Sequence, residues 1–198
     1  MNKEPNWKSY IVKTAQPILT SQQCDEIIRI GQSEPKIEAT TGTDNKSIKV
    51  NNKYRQSTIS WFPFAKAKTI YQDIKSCIEV INNNHFGFNT LEVTEEGQYA
   101  EYSEGGFYNW HIDSNIRMTA MPPVRKISMT LLLNDPKDFE GGGLEIFSGE
   151  SLDSTFNKIN LQKGEAVFFA SFLLHRVVPV IKGNRKSLVM WFGGTPLK

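Results

Sequence analysis

The spacing of apolar positions divides the chain into an N-terminal zone with helical periods and a longer C-terminal zone with a period of two. Residues 9–19, SYIVKTAQPIL, read as a short strand stopped at Pro17. TSQQCDEIIRIGQS then reads as a helix: Thr20 can cap it, Gln23 completes a capping box, and Ile27, Ile28 and Ile30 supply apolar positions. Residues 33–53 show no such period. They are polar and rich in Thr, Asn and Lys, which predicts a long loop with at most a weak hairpin. A loop of that length inside a compact domain is often functional. YRQSTISWF, 54–62, alternates as a strand does. PFAKAKTIYQDIKSCIEVINNNHFG follows, with Ala65, Ile70, Ile74, Ile78 and Ile81 at helical spacing.

From residue 90 onward the chain reads as strands and turns. LEVTEEGQYAEYS, GFYNWHID, KISMTLLLN, GGLEIF, FNKINLQ, EAVFFAS, HRVVPV and RKSLVMWFGG are eight short β segments. Coming after two helices, they predict a mainly β fold with flanking helices. The expected core is a double-stranded β-helix, a cupin-like jelly roll with the helices packed on one outer face. A single domain over 1–198 is expected, with helical support about 15–85 and the jelly-roll core about 90–195.

Composition narrows the partners. The chain has 198 residues, of which 23 are basic and 21 acidic, a net charge of +2. With the basic residues scattered, nothing points to nucleic acid. No apolar stretch nears the roughly 18 residues of a membrane span. The first 20 residues show no signal-peptide h-region, so a cytoplasmic location and no membrane contact are expected. Cys24 and Cys77 fall in helical segments and read as idle thiols.

The chain has three histidines, His85, His111 and His175. His111-Ile112-Asp113 alone is a weak signal, but His175 and Arg185 follow at strand positions far along the chain. Residues i and i+2 of a strand face the same way, so His111 and Asp113 can approach one metal together. A third ligand, His175, completes one face of an octahedron and leaves three positions open. That donor set suits Fe(II) acting with a cosubstrate and O2, whereas catalytic zinc prefers a four-coordinate site. His85, in NNNHFG, reads as part of a helix C-cap. Arg185 offers a planar fork for the distal carboxylate of a dicarboxylate.

Together these segments resemble a known family. YSEGGFYNWHID fits Y-x-x-G-x-x-Y-x-x-H-x-D; NDPKDFEGGGLEIF, KGEAVFFASFLLHRVVPVIKGNRKSLVMWFGG and YRQSTISWF also match. The chain resembles the Fe(II)- and 2-oxoglutarate-dependent dioxygenases of the prolyl 4-hydroxylase type, and within them the PKHD-type hydroxylases. The resemblance runs from about residue 15 to 195. It implies His111, Asp113 and His175 as iron ligands, and Arg185 with Tyr102 on the C5 carboxylate of 2-oxoglutarate. It also implies Thr130 lining the cosubstrate pocket, and Tyr108, Arg125 and Trp191 on the substrate side. Fe(II), 2-oxoglutarate, O2 and ascorbate as reductant are the implied cofactors. The implied reaction is hydroxylation of a prolyl residue in a peptide or protein, with 33–53 as a lid. The same cofactors could serve a lysyl residue, a free amino acid or another small molecule, and a distant alternative is a jelly-roll binding module without turnover. On their own terms, Tyr102 and Tyr108 also read as barrel-wall aromatics, Trp191 as a core residue and Arg125 as a solvated rim cation. EGGGLEIF reads as structural, its glycines allowing a tight turn and close backbone approach.

Overall fold

In the computed structural model, which describes residues 9–38, 53–89, 91–114, 123–151 and 154–196, the predicted capping box closes. Thr20 Oγ1 accepts from Gln23 N at 3.2 Å, and Gln23 Oε1 accepts from Thr20 N at 2.9 Å. The helix it starts, α1 (Ser21–Ser33), follows β1 (Ile11–Lys13) and precedes β2 (Ile37–Glu38). The strand expected over 9–19 is therefore only three residues long. The rest of that segment is bends that lead into the helix cap, with Pro17 unable to donate to a ladder. Of the long polar segment, residues 39–52 lie outside the described residues, and its start forms β2.

The stretch 54–62, which alternates like one strand, is two. β3 (Arg55–Gln56) and β4 (Thr58–Phe62) belong to different sheets, and the chain crosses between them at Ser57. α2 (Lys68–Ile81) buries Ile70, Ile74, Ile78 and Ile81 as its period predicts. It runs into a π-helical turn over Asn82–Phe86. The turn ends at Gly87 (φ 66°), whose N–H donates to Asn82 O at 2.7 Å. The Asn82 side chain brackets Phe88 N and O at 2.9 Å each. Gly87 and Asn82 thus make the cap expected of His85.

The strands that follow are β5 (Glu92–Val93), β6 (Gly97–Tyr102), β7 (Phe107–His111), β8 (Val124–Leu132) and β9 (Phe139–Gly141). After them come β10 (Leu144–Ser151), β11 (Ser154–Ile159), β12 (Ala166–Ala170), β13 (His175–Val177), β14 (Val180–Gly183) and β15 (Arg185–Gly194). The larger sheet runs β1-β12-β8-β15-β6-β4-β2, with β5 on β15, and the smaller runs β11-β10-β13-β7-β3. β14 and β9 form a separate ribbon. All pairings are antiparallel, and the two main sheets face each other as the jelly roll that the sequence predicts.

Alternation along the larger sheet makes two cores. Ile127, Met129 and Leu131 of β8, with Leu188, Met190 and Phe192 of β15, pack against α1 and α2. Leu132 of β8, Tyr102 of β6 and Phe169 of β12 point the other way, toward Leu144, Ile146 and Val177 of the smaller sheet. The first core clamps the sheet to its helices. The second holds the sheets apart at side-chain distance, and the functional residues sit at its open end.

α1 reaches the sheet because Gly31 has no side chain: a Cβ there would lie 2.4 Å from Tyr99 Cγ. Its carbonyl also accepts from Ser60 Oγ at 2.6 Å. Alanine would add up to about 1 kcal/mol of helix propensity. Overpacking against a fully buried ring costs about 1–3 kcal/mol, and the clash involves the ring carbon rather than a flexible tip. Gly31→Ala is therefore expected to lower unfolding free energy by roughly 1–2 kcal/mol in urea titration; an increase would show that α1 is not seated through this glycine.

Candidate active site

β7 and β13 pair with His175 directly opposite His111. Each ring is fixed by its own strand. His111 Nδ1 lies 2.8 Å from Asn109 O, and His175 Nδ1 lies 2.9 Å from Leu173 O. A carbonyl only accepts, so both protons sit on Nδ1 and both Nε2 lone pairs are left free. Asp113 stands between them, with Oδ1 3.7 Å from His111 Nε2 and Oδ2 3.5 Å from His175 Nε2. One ligand atom from each of the three residues lies within 4.8 Å of the others. All three side chains are nearly buried. Among the described residues this is the one such group able to hold a metal ion, and His85 takes no part in it.

Strand alternation is not what aims Asp113. β7 ends at His111, and Asp113 lies in a bend beyond it. A bulge in β7 does the other part of the work: two steps of β13, from His175 to Val177, face three steps of β7, from His111 to Tyr108. The extra residue turns Tyr108 to the face of His111, which a regular strand would forbid at a spacing of three. Their rings stack at 3.5 Å between centroids, 15° from parallel. Arg55, on neighbouring β3, lays its guanidinium 4.4 Å above the other side of Tyr108. Arg55 donates to Gln98 Oε1 and Ser57 Oγ, each at 2.9 Å, and is 6% exposed.

Arg185 and Tyr102 face each other across β15 and β6, the guanidinium 5.6 Å from the ring centroid. Arg185 is 3% exposed and donates to Ser187 Oγ at 3.0 Å, and no carboxylate pairs with it among the described residues. Burial pulls its pKa below the ordinary value, with Tyr102 opposing. An anion is what such a group lacks. Gly142 (φ 62°) backs onto it, since a Cβ there would stand 3.1 Å from Arg185 Cδ, in keeping with the close approach read into EGGGLEIF. Thr130 is buried on the face of β8 that also carries Ser128 and Leu132.

Arg125 reaches inward through a second bulge. Phe192 and Gly193 of β15 pair with Ile127 and Arg125 of β8, leaving Lys126 as the extra residue. Its guanidinium lies 3.7 Å above the Trp191 ring and makes two 2.7 Å hydrogen bonds to Glu95. Arg125 is therefore a half-buried, paired cation rather than a solvated one. Trp191 is 5% exposed, and its buried Nε1 has no partner among the described residues. A cavity of about 300 Å³ opens beside Arg55 and Ser57, with Glu38, Glu101 and Glu104 on its walls.

Arg55, Glu95, Ser128 and Ser171 escaped sequence reasoning. Arg55 alone left a signal, a charged residue at an inward position of an alternating strand.

The comparisons with known proteins agree with this geometry. Residues 97–193 match the family model of the 2OG-Fe(II) oxygenase superfamily. Over this segment, just under half of its length, the chain is similar to that superfamily. The PKHD-type hydroxylase of Pseudomonas fluorescens is 36% identical over 93 residues, which are 46% of this chain and 39% of the relative. The chain thus matches well under two thirds of that relative's length. Two solved structures share the fold. The viral collagen prolyl hydroxylase of Paramecium bursaria Chlorella virus-1, a 2OG complex, has a TM-score of 0.69 at 22% identity, covering 94% of this chain and 97% of that one. The Trichoplax adhaerens prolyl hydroxylase, in complex with a hypoxia inducible factor peptide fragment, has a TM-score of 0.69 at 20% identity, covering 93% and 83%. The matched segment contains the triad, Arg185 and every other site residue named from sequence. No helix among the described residues is long and apolar enough to cross a membrane.

Burial, the nearby His175 and Arg55 hold the His111 pKa far below its ordinary 6.5, against the pull of Asp113 and the Asn109 carbonyl. For Asp113, burial alone would raise the pKa. His175, His111, Arg125 and the Ser128 hydroxyl outweigh it and hold the carboxyl below its ordinary 3.8. In both cases the unfolded chain binds more protons than the folded one below the ordinary value, so stability rises with pH there. The metal-free protein is expected to lose stability as pH falls from about 6.5 toward 4. His111→Asn should flatten that slope in urea melts, and an unchanged slope would remove His111 as its source.

Proposed function

We propose that the protein is an Fe(II)- and 2-oxoglutarate-dependent dioxygenase that hydroxylates an unactivated C–H bond, of a prolyl residue in a peptide or protein. The observation that carries this reading is the pairing of an open His111–Asp113–His175 triangle with a buried guanidinium, Arg185, that has no carboxylate partner among the described residues. His111 and His175 would hold the iron through Nε2 and Asp113 through its carboxylate. Three open positions suit a two-point chelator plus O2. The bound cofactors supply the oxidation, in which 2-oxoglutarate is decarboxylated to succinate and one oxygen atom enters the substrate. Ascorbate serves as the external reductant in this reading.

The chain's own residues bind and orient. Arg185 takes the distal carboxylate of 2-oxoglutarate in a two-pronged hydrogen bond, with the Tyr102 hydroxyl beside it and Thr130 on the pocket wall. Tyr108, Arg125 and Trp191 line the substrate side. Trp191 Nε1 offers a buried donor for a peptide carbonyl, and Arg125 stacked on Trp191 keeps that ring in place. The fold shared with two prolyl hydroxylases, one solved with a peptide, supports a peptide substrate.

Mixing Fe(II) and 2-oxoglutarate without oxygen is expected to give the weak visible charge-transfer band of the iron–oxo acid chelate. His111→Ala and His175→Ala should abolish it. Arg185→Ala should raise the 2-oxoglutarate requirement by roughly 30-fold or more while sparing the Fe(II) requirement. Truncating one side of a buried charge pair costs about 2–5 kcal/mol, and each 1.4 kcal/mol is tenfold. Equal effects on both ligands would remove Arg185 from its assigned place. Mass spectrometry of a proline-containing peptide library should show the gain of one oxygen atom on proline. Oxygen gained only on other residues or on small molecules would overturn the prolyl assignment and keep the chemistry.

A further inference from the structure

Because β7 stops at His111, something other than a ladder must hold the Asp113 carboxylate. The backbone does part of this. Asp113 N and Ser114 N both donate to Ser171 O, at 2.9 and 3.0 Å, and Ser171 N donates to Lys126 O at 2.9 Å. The ligand bend is thereby tied to the turn after β12 and, through it, to β8. The side chains do the rest. Ser128 Oγ lies 2.7 Å from Asp113 Oδ2, and Ser171 Oγ lies 3.0 Å from Ser128 Oγ. Both serines are fully buried.

The direction of this chain follows from proton counting. An ionised carboxylate only accepts, so the single Ser128 proton goes to Oδ2. Ser128 must then accept from its neighbour, and Ser171 is the donor. The order is Ser171 O–H to Ser128 O–H to Asp113 Oδ2. No hydrogen bond from a described residue reaches Oδ1.

We propose that Ser128, backed by Ser171, is a positioning residue that reserves Oδ2 and leaves Oδ1 as the single oxygen Asp113 gives to a metal. This rests on the reading of His111, Asp113 and His175 as the metal site. The consequence is a count of coordination positions. One oxygen from Asp113 and two imidazoles leave three octahedral positions, enough for a chelating oxo acid and one further small ligand. If both carboxylate oxygens bound, two positions would remain and the chelator would fill them. Ser128 is thus a residue that keeps a position free, one step removed from the metal.

Co(II) titration of the metal-free protein tests this without turnover, because the visible bands of Co(II) report coordination number. Ser128→Ala is expected to weaken Co(II) binding by about 10–100-fold and to change the band shape. Ser128→Thr, which keeps the hydroxyl, should restore both. Ser171→Ala keeps the backbone carbonyl contacts and loses only the backing donor. It should show the same change in smaller measure, and it carries the test if Ser128→Ala fails to fold. Native affinity and native bands in both alanine variants, with wild-type protein binding one Co(II), would overturn the role of Ser128 alone. Wild-type protein that binds no Co(II), or binds it undiminished in His111→Ala, would overturn the metal site and this inference with it.

Discussion

The register of β13 against β7 is the constraint on which the rest of the site depends. It sets His175 opposite His111, with Nδ1 of each ring held by a carbonyl two residues back along its own chain. A slip of one residue would turn one imidazole to the outer face of the smaller sheet and leave the other facing an empty barrel. The register is in turn held from the next strand. On β10, Ile146 lies opposite His175 and is fully buried in the inter-sheet core. Moving β13 by one position would expose that core as well as dismantle the triangle. Packing and site geometry therefore enforce the same alignment.

Charge explains the second feature of the barrel. Two guanidinium groups, Arg55 and Arg185, are nearly buried with only neutral acceptors among the described residues, while the ionised Asp113 sits between two imidazoles. A buried cation without a counter-ion costs several kcal/mol. The outer sheet face, which meets the helices, is by contrast almost wholly apolar. Under the proposed function, the distal carboxylate of 2-oxoglutarate would offset that cost at Arg185. Arg55 adds a further effect. Its charge lies over Tyr108, and Tyr108 lies on His111, so the cation helps keep that imidazole unprotonated and free to donate its lone pair.

Much of this was legible in the sequence because it depends on period and on rare residues. Two helices and the strand-rich second half follow from spacing, and the His111–Asp113–His175 set with Arg185 from rare residues and from the resemblance they carry. What escaped was local departure from period. The bulge in β7 turns Tyr108 onto His111, and the bulge at Lys126 turns Arg125 onto Trp191. A bulge costs one residue and leaves no composition signature in segments such as FYNWH or VRKIS. The split at Ser57 was hidden in the same way, since alternation continues through it while the pairing partner changes from β7 to β6. Ser128 is read from sequence as one small polar residue in a buried strand, and only the bend at Asp113 gives it a task.

Three of the places where alternation fails are places where the site is built. With regular strands, the larger sheet would carry Arg125 on its helix-facing side and the smaller sheet would carry Tyr108 away from the histidines. Each bulge moves one large side chain across the sheet without lengthening the strand, and the sheet switch at Ser57 brings Arg55 over Tyr108 from a neighbouring strand. These three shifts bring two cations, Arg125 and Arg55, and one aromatic ring, Tyr108, against Trp191 and His111. The apolar core against α1 and α2 stops where the bulge begins: its side chains on β8 and β15 stay in period up to Ile127 and Phe192. The helix-backed face thus keeps its period along the core, while the face that carries the site departs from it.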